Sequence, residues 1–525
     1  MKKILISDNL DPRCVDIFSK NNIQADLKPG LPKEELLNII GEYNGLIVRS
    51  ATQVTAEVIE KGKNLEVIGR AGSGVDNIDI NAATRKGILV MNTPGGNTIS
   101  AAEHTFAMMM ALCRNIPQGD KSMKEGKWDR KSLSGSELSE KVLGVIGLGK
   151  IGREVCLRSL AFNMKVLGYD PIMSEEAAAK LGIQLVSIDE LLAQSDIITL
   201  HVPLNDKTKD LLSLETFKKC KKGVKVINCA RGGIVNENEI VEAIDSGLVS
   251  GAAFDVYSEE PPKNREMVNH PKIICTPHLG ASTVEAQEKV AFQVAEQMID
   301  YFEGKEFAGA VNITAVKSAD KKISPFIRLS ELLGSMIAQF ADKKISDVEI
   351  IYDGENLKDS IKALSIAAIK GILSNTIHEP VNIINAHYFA KEMGLDYKEI
   401  INQSSANYNS EITIKAKSDS YDLSISGTVF NDQEIRITGI DNFKCEIIPD
   451  GYILFYRNID KPGILAQVSK ILADYQINIG GLSLARRENV KEAMTAVNVD
   501  TEISKAALSL ISDIKDVKEV YLVHF

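Results

Sequence analysis

The chain has 525 residues, 44% apolar and 25% charged, ordinary for a soluble globular protein but too long for one core, so three or four domains are expected. Its formal charge of −10 argues against direct binding to nucleic acid or an anionic membrane, which needs clustered basic charge. The seven cysteines are scattered and lack a C-x-x-C pair, which argues against structural zinc and a disulfide framework; no metal is expected, and the compartment expected is the reducing cytoplasm.

The start, MKKILISDNLDP, breaks from a short apolar run into polar residues and reads as a first β-strand, not a signal peptide. KKILIS, GLIVRS, EVIGRAG and ILVMN read as buried parallel strands alternating with amphipathic segments. A helix is expected over Thr98–Ile116. Its Met-rich centre (Phe106–Cys113) reads as packing in a covered helix, and is far short of the roughly 20 residues of a membrane span. A second α/β unit begins at Val142–Gly152 and continues through KVLGYDP, DIITLHVP, VKVINCARGG, GAAFDVY and IICTPH, giving about six strands. Helical pieces are expected at Glu137–Glu140 and Gly149–Leu160, and a strong amphipathic helix over Thr283–Phe302. That helix is expected to return to the first sheet. The expected division is 1–96 plus 285–312 as one discontinuous domain, with 97–284 inserted in it.

Residues 313–320 read as a linker. Residues 321–445 combine two helical stretches with a strand-rich piece, EITIKAKSDSYDLSISGTVFNDQEIRITGI. Residues 452–525 read β-α-β-β-α-β: YILFYRN, a helix over Gly463–Tyr475, GLSLARR, AMTAVNVD, a helix near Ile503–Ile514, and VYLVHF, the order of a ferredoxin-like unit. The fold class expected is α/β: two Rossmann-like doubly wound domains, one discontinuous, followed by an α+β domain and a ferredoxin-like domain.

Gly147-Leu148-Gly149-Lys150-Ile151-Gly152 is a G-x-G-x-x-G between a strand and a helix, the context in which this pattern signals dinucleotide binding. Gly147 permits the tight turn, Gly149 a close approach of backbone to pyrophosphate, and Gly152 close packing of helix on strand. Lys150 and Ile151 open a helix whose free N–H groups favour an anion. Asp170 ends the next strand, where a carboxylate accepts from both ribose hydroxyls and repels a 2′-phosphate, so NAD is expected over NADP.

Arg231 (NCARGG), Glu260 (DVYSEEPP) and His278 (TPHLGAS) follow strand ends, where open α/β sheets bind ligands. Oxidising an alcohol to a ketone needs a base for the hydroxyl proton, a hydride acceptor, and a cation for an adjacent carboxylate. Histidine suits the first by its near-neutral pKa, arginine the last by its planar fork, and a glutamate would fix the histidine's tautomer.

With GLGKIG, VINCARGGIVNE, GAAFDVYSEEPP and TPHLGAS, the chain resembles the D-isomer-specific 2-hydroxyacid dehydrogenase family. The resemblance implies that Arg231, Glu260 and His278 are the catalytic set, and that Ser73, Cys229, Asp255 and Gly280 line the NAD site. GRAGSGVDNID and TPGGNTISAAEHTFAMMMALCRNIP fit the long branch of that family, which acts on 3-phosphoglycerate. That branch implies that Arg49, Arg70, Ser73, Gly74 and Asn97 meet the substrate, and that Arg130 reaches it from a neighbouring subunit of a homotetramer. Residues 321–445 resemble the branch's intervening domain, and 452–525 an ACT domain. In the latter, Asn458, Asp460, Gly463 and Asn478 would face an amino-acid effector, with L-serine expected. Two other readings are a reductase of hydroxypyruvate, glyoxylate or 2-oxoglutarate, and an NAD-sensing scaffold.

Overall fold

The computed structural model describes residues 1–305, 308–313, 322–341, 345–404, 407–418, 421–431, 433–487 and 491–525. Apart from Ile313, the linker expected at 313–320 lies outside them.

The runs KILI, GLIV, VIGR and LVMN are apolar on both faces, as strands covered on both sides must be. With Gln24–Leu27 they form a five-stranded parallel sheet, in the order Gln24–Leu27, Lys3–Ile6, Gly45–Val48, Val67–Arg70, Leu89–Asn92. Successive side chains enter opposite cores: Ile4 and Ile6 pack on one face, Leu5 on the other. The helix Val284–Phe302 covers the first face through Val290, Val294 and Met298. It lies close because Gly69 has no side chain: a Cβ there would stand 2.6 Å from a Val294 methyl.

The second sheet is also parallel and has seven strands, in the order Ile273–Cys275, Val249–Phe254, Val224–Asn228, Ile197–Leu200, Val142–Ile146, Lys165–Tyr169, Gln184–Leu185. Thr98–Arg114 packs its Met108, Met109 and Leu112 against Leu143 and Val145 of this sheet, so the Met-rich stretch is core.

Three details differ from expectation. The strands Gln24–Leu27 and Gln184–Leu185 were not expected; both are short, partly polar edges whose pattern carries little signal. The helix expected to reach Ile116 ends at Arg114, because Asn115 turns left-handed (φ 52°) and a second helix, Ile116–Lys124, begins with Pro117 in its first turn. Glu137–Glu140 is not helical: Leu138 is buried in the second core and Glu140 takes φ 64°, and four residues cannot repay helix nucleation.

The remaining chain forms a six-stranded mixed sheet and a four-stranded antiparallel one. The first has the order Asp396–Asn402, Asp347–Asp353, Glu411–Ser418, Tyr421–Phe430, Glu434–Ile440, Phe443–Ile447; the expected strand-rich piece supplies only its middle three strands. The helices Ser324–Phe340, Ile361–Ser374 and Ala386–Met393 accompany it, one more than expected. The four-stranded sheet runs Ile479–Arg487, Glu492–Val499, Tyr452–Ile459, Val517–His524, the ferredoxin-like order. One core joins the two: Phe340 and Leu333 pack with Ile453, Phe455 and Val523. Gln339 seals the junction by donating to the His524 carbonyl (3.0 Å) and accepting from its N–H (2.9 Å). The fold is thus α/β with two doubly wound sheets, followed by a mixed α+β unit and a ferredoxin-like unit. Among the described residues no helix is long and apolar enough to cross a membrane.

The segment 380–386 ties the mixed sheet's unit to the first sheet. Asn382 donates to the Gly87 carbonyl (2.7 Å), and Ile384 is buried in the first sheet's core. Within the mixed unit the closest backbone approach is at Gly334, where a Cβ would collide with the Ala368 carbonyl. Gly334→Val is therefore expected to cost about 3 kcal/mol. Hydrogen exchange should quicken across Ser324–Ser374 and stay slow in Val142–Ile146; unchanged exchange in the helices would contradict this packing.

Candidate active site

The turn after Val142–Ile146 is built for a close backbone approach. Gly147 adopts φ 95°, where a side chain would be strained, and a Cβ on it would press on the His201 carbonyl. A Cβ on Gly152 would collide with the Gly147 carbonyl, so the helix Lys150–Ala161 can start this near the strand only with glycine there. A Cβ on Gly149 would meet nothing within 4 Å, so this loop faces open space. Lys150 extends from the loop to the Pro94 carbonyl (3.2 Å), across a cleft of about 540 Å³ that Thr98 and Lys289 also line. Asp170 stands beside the loop: Oδ2 accepts from the Leu148 N–H (2.8 Å), and Oδ1 from the N–H groups of Ile172 and Met173. Burial opposes its charge, but these N–H groups and Arg153 outweigh that and hold its pKa below the usual value. A cradle of glycine backbone, a helix N-terminus and a charged carboxylate at the next strand end fit a dinucleotide.

Arg231, Glu260 and His278 follow three adjacent strands of the same sheet, Val224–Asn228, Val249–Phe254 and Ile273–Cys275. His278 Nδ1 lies 2.8 Å from Glu260 Oε2. With the ionised carboxylate accepting, Nδ1 carries the proton and Nε2 is left as the base. His278 has φ 55°, and its turn is held from beneath by Asp255, which is fully buried. Asp255 accepts from the N–H groups of Leu279 (2.7 Å) and Gly280 (2.8 Å) and from the Thr276 hydroxyl (2.6 Å), and His104 Nε2 is 3.1 Å away. Burial again opposes the charge, and the bonds from His104, Thr276 and Leu279 prevail, so its pKa is lowered. Ser100 grips the same turn by donating to the Gly280 carbonyl (2.6 Å). Cys229 lies nearby with its thiol pKa pushed up by burial and by the charge of Asp255, so it is neutral.

The first sheet's unit brings a second set of groups toward Arg231. Arg70 ends its strand, and Arg49 directly follows the neighbouring strand Gly45–Val48. Asn77 ties them together by accepting from Arg70 Nε (3.2 Å) and donating to the carbonyls of Arg49 (2.7 Å) and Thr52 (2.6 Å). Buried Asp8 accepts from the Arg49 N–H (2.5 Å) and the Thr52 hydroxyl (2.5 Å). Ser73 donates to Asn97 Oδ1 (2.8 Å). Gly74 passes so near Arg231 that a Cβ would collide with Nη2. Burial first, then the charge of Arg231, pushes Arg70 down to about 10; the opposite charge of an anion in the pocket would offset both effects.

Some expected site residues do not join these. Arg130 is exposed, outside the hydrogen bonds that build the pocket. The four residues expected to face an effector do not form one cluster. Asn458 and Asp460 lie where Asn458 pairs with Ala493; Asn478 donates to Asp500 at the other end of the sheet, where Tyr452 pairs with Val499. Asn458 is buried, Asp460 is engaged by Arg486 (2.7 Å), and Gly463 (φ 94°) precedes the helix Ile464–Asp474. The sequence reading also passed over Asp8, Asp76, Asn77 and His104. Asp76 and Asn77 fall inside the quoted GRAGSGVDNID, which was the available signal. Among the described residues no group of three or more His, Cys, Asp or Glu could hold a metal ion.

Three family models match: the NAD-binding domain of D-isomer-specific 2-hydroxyacid dehydrogenases over residues 106–280, the intervening domain of D-3-phosphoglycerate dehydrogenase over 322–441, and the ACT domain over 452–516. The chain is 41% identical over 525 residues to a D-3-phosphoglycerate dehydrogenase of Synechocystis sp., covering all of this chain and 95% of that one. It is 40% identical to that of Bacillus subtilis, covering 100% and 99%. Among solved structures, a D-lactate dehydrogenase of Aquifex aeolicus complexed with NAD and lactic acid is similar (TM-score 0.52, 28% identity), covering 58% of this chain and 96% of that one.

Asp255→Asn should keep the shape and remove the charge that four donors address, costing about 2 kcal/mol in urea unfolding at pH 7. Because the folded pKa is depressed, the wild-type contribution is fully present above the ordinary value of about 3.9 and is lost as pH falls through the lowered one. A variant as stable as wild type at pH 7 would show that Asp255 does not hold the His278 turn.

Proposed function

The chain belongs to the D-3-phosphoglycerate dehydrogenase family, and from that premise we propose that the cleft between its two parallel sheets oxidises (R)-3-phosphoglycerate to 3-phosphooxypyruvate with NAD. The observation that carries the reading is the His278–Glu260 pair on the same sheet as Arg231, whose guanidinium meets Asp76 of the first sheet's unit (2.9 Å) and acts electrostatically on Arg70.

NAD, when bound, supplies the acceptor for the hydride that leaves C2. Gly147, Gly149, Lys150, Ile151 and Gly152 would hold its pyrophosphate, Asp170 its adenine ribose, and Cys229 and Gly280 would line the far end. His278 Nε2 takes the proton of the C2 hydroxyl, and Glu260 steadies the imidazolium that forms. Arg231 holds the carboxylate beside C2, with the Ser73–Gly74 backbone closing on it. Arg49 and Arg70, rigidly placed by Asn77 and Asp8, receive the phosphate, assisted by Asn97. Asp255 acts through the 276–280 turn as a positioning residue.

Arg130 would reach the phosphate pocket of a neighbouring subunit, in keeping with a homotetramer. The ferredoxin-like unit would bind L-serine. Because Asn458 and Asp460 lie at the opposite end of the sheet from Asn478, one effector could touch both sets only between two copies. Cytoplasmic serine synthesis is the setting this reading implies.

The test is NADH oxidation with 3-phosphooxypyruvate, hydroxypyruvate, glyoxylate and 2-oxoglutarate in parallel, with and without L-serine. A kcat/KM preference of at least about a hundredfold for the phosphorylated acid is expected; preference for an unphosphorylated acid would overturn the substrate. His278→Ala should lower kcat by about 10³-fold or more with NAD binding kept, and near-normal turnover would refute the mechanism. Asp170→Ala should weaken NAD binding and narrow the gap to NADP by roughly tenfold, read from the two Kd values; an unchanged ratio would count against the ribose role.

A further inference from the structure

We infer that Asp76 is a built-in competitor for the substrate: its carboxylate occupies the substrate-carboxylate seat on Arg231 and must be displaced, which weakens the binding of every ligand that seats an anion there. The inference rests on the reading of the cleft given above.

Asp76 belongs to the first sheet's unit and Arg231 to the second. Asp76 Oδ2 accepts from Arg231 Nε at 2.9 Å, across 155 residues of sequence. It is about two-thirds exposed (67%), and among the described residues it forms no other hydrogen bond or ion pair, so it can swing away. Asp8, the other carboxylate facing these arginines, is buried and committed to the backbone of Arg49 and Thr52. Arg231 Nη1 is turned to the Ala230 carbonyl (2.7 Å), so Nε and Nη2 make the edge that can receive a carboxylate, and Asp76 is on it. The Coulombic influence of Asp76 extends to Arg70, where it opposes the repulsion from Arg231 and Arg49.

Without Asp76 this pocket would present three guanidinium groups and attract any small anion. With it, any ligand that places a carboxylate on Arg231 must replace one ion pair by another, for little net gain at that seat. The cost is the same for every such ligand, so the contact lowers affinity without changing the preference among them, and a substrate must draw its net binding from its other contacts.

The experiment uses the full-length protein. Sulfate binding is measured calorimetrically without cofactor or substrate for wild type, Asp76→Asn and Asp76→Glu. Sulfate should bind Asp76→Asn roughly tenfold more tightly, the scale of one charge at this separation near the surface. Asp76→Glu, which keeps an anion in reach of Arg231, should stay near wild type. In NADH oxidation, Asp76→Asn should lower KM at least about fivefold for both 3-phosphooxypyruvate and hydroxypyruvate and leave the ratio of their kcat/KM values near wild type. Unchanged or weaker sulfate binding in Asp76→Asn, or Asp76→Glu behaving like it, would overturn the proposal. So would a loss of kcat on both acids with KM unchanged, the signature of a residue that stays and orients Arg231. If the wild type turned over neither acid, the functional reading would fail, while the sulfate measurements would still decide the role of Asp76.

Discussion

Like charges held close are the constraint on which the site depends. Arg49 and Arg231 both act electrostatically on Arg70, and burial makes the charges of Arg49 and Arg70 costlier. The surrounding structure answers with fixed partners. Asp8 and Asn77 pin the two arginines of the first sheet, and Asp76 reaches over to the arginine of the second. The pocket is thus strained toward anions, and the sheets must be stiff enough to bear it.

That stiffness comes from the sheets being covered on both faces and joined by two helices that cross between them. Thr98–Arg114 starts beside Asn97 and, through Ser100 and His104, reaches the turn that carries His278. Val284–Phe302 leaves that turn and lies down on the first sheet. Any change in the angle between the sheets is therefore felt at the His278 turn. Asp255 is the fixed point: a buried carboxylate saturated with donors rigidifies, whereas one left partly satisfied would be a liability.

Much of this was legible in the sequence because its parts are local. The Gly147–Gly152 turn needs glycine at fixed offsets, and strands buried on both faces write unbroken apolar runs. Arg231, Glu260 and His278 each sit in a short segment tied to a strand end. What escaped was long-range or weakly patterned. Asp76 finds its partner 155 residues away, and His104 meets Thr276 across 172. The edge strands Gln24–Leu27 and Gln184–Leu185 are too short for their pattern to stand out, and Glu137–Glu140 looked helical only because its composition says nothing of the pull on Leu138. The shared core between the mixed sheet and the ferredoxin-like sheet was invisible too, since each segment alone shows only an apolar face.

The central claim is that the first sheet's arginines read a phosphate while the second sheet performs the chemistry. The most direct measurement is the kcat/KM of Arg70→Ala on 3-phosphooxypyruvate and on hydroxypyruvate, side by side with wild type. A loss of about a hundredfold on the phosphorylated acid, with less than about a threefold change on hydroxypyruvate, is the predicted result, because only the former places an anion against Arg70. Equal losses on the two acids would contradict the claim and make Arg70 a part of the scaffold.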